Sequence, residues 1–159
     1  MEFTETIRPA GDIEAIVEYN DGRPTESFGF KNTILKNGRV ALAKSLANVI
    51  GTTYDFFITR MLFGSNGATG GVPKHVDEAR NGLFGLTVLS KPIVASIDPN
   101  LTTQVIFTSV ITFNEANGVP LNEMALQMNN GQLYSMRSFP DLTKTDHMQI
   151  TWNWKTSFV

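Results

Sequence analysis

MQITWNWK, residues 148–155, alternates without a break, with Met148, Ile150, Trp152 and Trp154 on one set of positions and Gln149, Thr151, Asn153 and Lys155 on the other. Side chains of a β-strand point to opposite faces with a period of two, so the apolar set lines one face and the polar set the other. The even residues are expected inside the chain's own core. Asn153 and Lys155 are then left on the opposite face, free to contact another subunit.

Working outward, the same reading recurs. Ile13, Ala15, Val17 and Tyr19 alternate with Glu14, Ile16 and Glu18, and Asn20-Asp21-Gly22 offers the positive-φ residues of a hairpin that returns through Thr25 to Phe30. Met124–Met128 and Leu133–Phe139 flank a second turn signal, Asn129-Asn130-Gly131. Leu83–Ile97, interrupted by Lys91-Pro92, is expected to pair with Thr103–Asn114 through a turn at Asp98-Pro99-Asn100, with Pro92 marking a bulge or an edge. Phe56–Phe63 is apolar on both alternating faces, as in a strand covered on two sides.

Only one segment has helical spacing. LKNGRVALAKSLANVIG places Leu42, Leu46, Val49 and Ile50 on one face and Lys36, Arg39 and Lys44 toward water, which predicts a helix over about 37–50 ending before Gly51. Many strands and one helix predict a mainly β fold: an antiparallel β-sandwich, jelly-roll-like, with one covering α-helix, in a single domain.

FGSNGATGG, residues 63–71, is the one stretch that invites a phosphate-binding reading. A Walker loop needs G-x-x-x-x-G-K-[ST], and a dinucleotide turn needs G-x-G-x-x-G opening a helix. Here Ser65 and Asn66 separate Gly64 from Gly67, and Pro73 follows where a helix would begin. The expected role is a flexible arm over about 64–81, with Gly64, Ser65, Asn66, Gly67, Gly70 and Gly71 as assembly contacts whose backbone stays free until a neighbour orders it.

Other candidates for chemistry are weaker. Asp141, Asp146 and His147 lie near Thr143, Lys144 and Thr145, but FPDLTKTDHM reads as a polar loop between strands. Glu115 and Glu123 invite comparison with the carboxylate pair of a glycosidase, and the plainer reading is two exposed acids near turns. Ser65 does not lie in a G-x-S-x-G elbow. Trp152 and Trp154 share a face and suggest, as an alternative function, a stacking platform for carbohydrate or a host receptor.

The chain has 159 residues, 13 basic and 15 acidic, scattered without a basic run, which argues against direct nucleic-acid binding. It has no cysteine, and its two histidines, His75 and His147, have no metal-ligand spacing, so neither catalytic residue, metal nor cofactor is expected. No apolar run approaches the ~20 residues of a membrane helix, so membrane insertion is not expected. The opening MEFTETIRPAGDIE carries acids and no apolar segment of signal-peptide length, an expectation that the product stays in the cell that makes it.

The order of motifs carries a resemblance. A helix before Gly51, a strand entering FGSNGATGG, RNGLFGL (80–86), VPLNEMAL (119–126) and FPDLTKTDHMQITWNW (139–154) together resemble small virion structural proteins of tailed bacteriophages. There a glycine-rich loop precedes an L-N-E-A-G-L-like turn and a closing F-P-x-x-x-K-T-x-x-M-x-I-T-W strand. The resemblance spans about residues 33–157; Leu126 follows Met124-Ala125 where that family commonly has a glycine after the alanine, and the N-terminal hairpin looks like an addition. It implies a non-enzymatic β-rich homo-oligomer in the virion, as tail, baseplate, fibre-anchoring or capsid-decoration protein. Such a protein is made in the host bacterial cytoplasm and partnered by copies of itself and other phage structural proteins.

Overall fold

The computed structural model describes residues 9–47 and 56–158. Its strands are β1 (Pro9–Tyr19), β2 (Glu26–Lys31), β3 (Thr33–Ile34), β4 (Ile58–Gly64), β5 (Ala68–Thr69), β6 (Val72–Pro73), β7 (Thr87–Pro92), β8 (Val94–Ser96), β9 (Gln104–Ile111), β10 (Pro120–Met128), β11 (Leu133–Thr143) and β12 (Met148–Phe158). Among the described residues a single helix, α1 (Lys36–Leu46), lies between β3 and β4. One sheet has the order β2-β1-β12-β9-β8, the other β3-β11-β10-β4-β7, and β5-β6 forms a small separate hairpin. Every ladder is antiparallel. This is a β-sandwich with one helix.

The alternation of β12 places it at the centre of the first sheet, paired along its length with β1 and β9. Ile150, Trp152 and Trp154 are fully buried, and Met148 nearly so. Trp152 joins the two sheets: its ring centroid lies 6.0 Å from Phe28 of its own sheet and 5.5 and 5.7 Å from Phe63 and Phe139 of the other. Phe30 stacks on Phe139 at 5.4 Å. Burying each such ring contributes on the order of 1.5–3 kcal/mol, so this aromatic bridge ties the two sheets together.

Both expected hairpins form, with Gly22 (φ 89°) and Gly131 (φ 86°) supplying the positive φ. The Leu83–Ile97 segment is corrected. Thr87–Pro92 pairs with β4, and only Val94–Ser96 pairs with β9, so the chain changes sheets at Ile93. Proline has no N–H to carry a ladder onward, and Pro92 ends an edge strand where the change occurs.

The polar-loop reading of FPDLTKTDHM is corrected too. β11 continues through Pro140 to Thr143, and Phe139, Pro140 and Asp141 stand opposite Asn122 alone where the register shifts between Leu121 and Glu123. The extra residues form a bulge that absorbs the proline.

In α1 the buried residues are Gly38 and Ala41, with Leu42 packed at the core margin and Leu46 89% exposed. Of the expected apolar face, Leu42 is in place and Leu46 is corrected to an exposed position. A Cβ on Gly38 would collide with the backbone of Tyr134, so the glycine lets helix and β11 approach. Val49, Ile50 and the expected end at Gly51 lie outside the described residues.

Candidate functional site

The motifs scattered along the sequence meet on the side of the second sheet that faces away from the aromatic core. There Leu62, Ala125, Leu133 and Met136 form a second, smaller core with Leu35 and Val76, covered in part by Leu83 and Phe84. Segment 72–86 thus lies across the sheet as a third layer.

Glu123 fastens this layer. Its side chain is fully buried, and its two oxygens accept three backbone hydrogen bonds, from Asn66 (3.1 Å), Phe84 (2.6 Å) and Gly85 (3.2 Å). A buried carboxylate is tolerated only when its lone pairs are filled, and here amides from two separate loops fill them. Asn122 repeats the arrangement. Its Oδ1 accepts from Gly67 N at 2.6 Å, and its Nδ2 donates to Asp141 at 2.9 Å and to Ser65 O at 3.3 Å. Two adjacent residues of β10 therefore bind the glycine loop, the 84–85 backbone and the bulge of β11.

Two basic side chains brace the backbone beside the amides that bond this carboxylate. Lys74 donates to Asn66 O at 2.7 Å and lies 5.2 Å from the Phe84 centroid, while the Arg80 guanidinium stacks on the same ring at 3.7 Å. Arg80 also donates to the carbonyls of Gly82 and Leu83. Ser138 donates to Lys74 O. RNGLFGL is thereby folded into a turn whose own amides face Glu123.

The glycines of 63–71 divide into two kinds. Gly64 and Gly67 are buried and tightly packed: a Cβ on Gly64 would stand 2.5 Å from Glu123 Oε1, and one on Gly67 would collide with the backbone of Asn122. Gly70 (φ 57°) and Gly71 (φ 78°) form the tip of the β5-β6 hairpin in open space. The expectation of a free backbone over 64–81 is corrected for Gly64, Ser65, Asn66 and Gly67, which are docked because Glu123 and Asn122 hold them. Of the expected contact residues in this loop, Gly70 and Gly71 form the open tip.

No family model, curated protein or solved structure matches this chain.

Asn153 and Lys155 lie on the outer face of the first sheet, as expected, but neither is unengaged. Asn153 Oδ1 accepts from Thr108 at 2.8 Å, and Lys155 approaches Glu14 at 3.6 Å. Trp152 and Trp154 are buried, which removes them as a stacking platform.

The two candidate acids are also corrected. Glu123 is closed to solvent, and Glu115 is held by both oxygens on Lys91 at 2.7 Å, with further bonds from Thr112 N and Oγ1. Burial pushes the Glu115 carboxyl up, but the Lys91 and Thr112 hydrogen bonds and the Lys91 charge outweigh it and hold the group below its ordinary 4.5. This pair ties β7 to the loop after β9, and so one sheet to the other.

Lys144 is buried with its ammonium donating to Phe113 O (2.9 Å), Asn117 Oδ1 (2.5 Å) and Thr145 O (3.0 Å). Desolvation lowers its pKa. Asp146 and His147 are exposed, His147 Nδ1 lying 2.9 Å from Asn20 Oδ1. Among the described residues no three His, Asp or Glu side chains group as metal ligands, and no helix is long and apolar enough to cross a membrane.

Proposed function

We propose that this chain is a non-enzymatic structural subunit of a tailed-phage virion, packing as a β-rich homo-oligomer onto a capsid or tail/baseplate protein. The observation that carries the reading is the apolar flank along the consecutive edge strands β7 and β8. Leu86 is 91% exposed and Val94 70%, and Val88, Ile97 and Leu101 accompany them. Large apolar side chains left exposed on and beside the unpaired edges of β7 and β8 suit surface that is covered in an assembly. Val72 beside the Gly70-Gly71 tip adds an exposed apolar contact.

The use of the buried polar groups supports the same reading. Glu123, Asn122 and Lys144 are consumed in fixing loops, and the motifs of the phage resemblance account for that fixing. Purified particles of the phage that carries the gene should contain the chain at symmetric positions, visible by reconstruction. Leu86→Asp and Val94→Asp should keep the fold and lose incorporation. Particles without the chain would sink the proposal.

A further inference from the structure

Asparagine is followed by glycine five times in this chain, at Asn37, Asn66, Asn81, Asn117 and Asn130. Such a pair can react with itself. The glycine backbone nitrogen attacks the side-chain carbonyl carbon of the asparagine, the side-chain nitrogen leaves as ammonia, and water opens the resulting succinimide ring to aspartate or isoaspartate. Glycine suits the step because no Cβ hinders the approach of its nitrogen. A glycine N–H that is already bonded, or a leaving amide held by an acceptor, must first give up that bond.

Four of the five pairs are tied at both groups. The N–H groups of Gly38, Gly67, Gly118 and Gly131 donate to Leu35 O, Asn122 Oδ1, Lys144 O and Met128 O at 2.6–3.1 Å. The side-chain amides of Asn37, Asn66, Asn117 and Asn130 donate to Asn81 Oδ1, Phe84 O, Phe113 O and Gln132 Oε1 at 2.8–3.3 Å. Asn81-Gly82 differs at both. Among the described residues neither the Gly82 N–H nor Asn81 Nδ2 has an acceptor, and Asn81 is exposed. Asn81 instead accepts from Asn37 at Oδ1, the oxygen on which negative charge gathers when the carbonyl is attacked.

This pair lies in the turn that carries the Glu123 bonds. Arg80 donates to Gly82 O at 3.3 Å and Leu83 O at 3.1 Å, and the Phe84 and Gly85 amides that follow donate to Glu123. Isoaspartate at 81 would insert a methylene into the main chain between Arg80 and these amides.

We propose that Asn81 is a self-modification site, deamidating spontaneously through Gly82, and that its isoaspartyl form releases Phe84 and Gly85 from Glu123, so that the third layer loosens as the protein ages.

Peptide mapping by mass spectrometry of the full chain, aged in mildly alkaline buffer, tests this. Deamidation at Asn81 should outpace that at each of the other four by about fivefold or more, the worth of one hydrogen bond that must open. In urea, where all five pairs are unfolded, the rates should converge. Gly82→Ala should slow the reaction and keep the melting temperature, since a Cβ there meets no atom within 4 Å. Hydrogen exchange of the isoaspartyl fraction should show lost protection at Phe84 and Gly85. Deamidation of the folded chain no faster at Asn81 than at the other four would overturn the proposal. So would a preference for Asn81 that persists in urea, or an isoaspartyl fraction whose Phe84 and Gly85 amides stay protected. These readouts use the parent chain and stand even if Gly82→Ala fails to fold.

Discussion

Glu123 and Gly64 are register partners across the β10–β4 ladder, and the glycine leaves the space that the Glu123 carboxylate occupies. The relationship is steric and electrostatic together: a side chain at 64 would displace the carboxylate that accepts from Asn66, Phe84 and Gly85. Gly64→Ala should therefore destabilise the fold by about 1–3 kcal/mol, the usual cost of overpacking a filled site. Gly70→Ala lies in open space and is strained only by its positive φ, so its cost should be nearer 1 kcal/mol. Urea midpoints of the two variants would separate them.

Trp152→Ala removes the ring that joins the two sheets and should cost about 3–5 kcal/mol. Asn153→Ala, one residue away on the other face, loses a single bond from Thr108 and should cost about 1 kcal/mol or less. Equal losses in thermal unfolding would contradict the assigned register.

The fold was readable where one local rule governs many residues. The β12 alternation, the Asn-Gly turn of β10–β11 and the Asn-Asp-Gly turn of β1–β2 each require only the neighbours in sequence. The clasp was not readable, because Glu123 meets Asn66 and Phe84 at separations of 57 and 39 residues. Its one available signal was steric: two glycines, Gly64 and Gly67, entering a loop from an apolar strand suit close approach as well as freedom. Of the expected helix face, Leu42 packs and Leu46 does not, because α1 rests on Gly38, a residue that periodicity scores as neutral.

The Lys91–Glu115 pair gives a pH dependence with a definite sign. Glu115 has a lower pKa folded than unfolded, so its contribution is present above the unfolded value near 4.5 and is lost as pH falls through the lower folded value. Glu115→Gln should be less stable than the parent by about 1 kcal/mol at pH 7, with the gap closing below pH 4.5. A gap that widens on acidification would contradict the sign.

Lys144→Met keeps most of the volume and removes the donor shared by Phe113, Asn117 and Thr145. It should cost about 1–3 kcal/mol and loosen the 112–118 turn first. Amide exchange at Gly118, whose N–H bonds Lys144 O at 2.9 Å, should quicken before that of β12. Uniform acceleration across both sheets would show instead that Lys144 supports the whole core.

Glu123 pins the third layer to the second sheet. Hydrogen exchange of Glu123→Ala, compared residue by residue with the parent, tests it most directly. Protection should be lost at Asn66, Phe84 and Gly85, with Gly67, bonded to Asn122, and β1, β12 and β9 retaining theirs. Unchanged protection at those three amides, with Glu123→Ala as stable as the parent, would overturn the assignment.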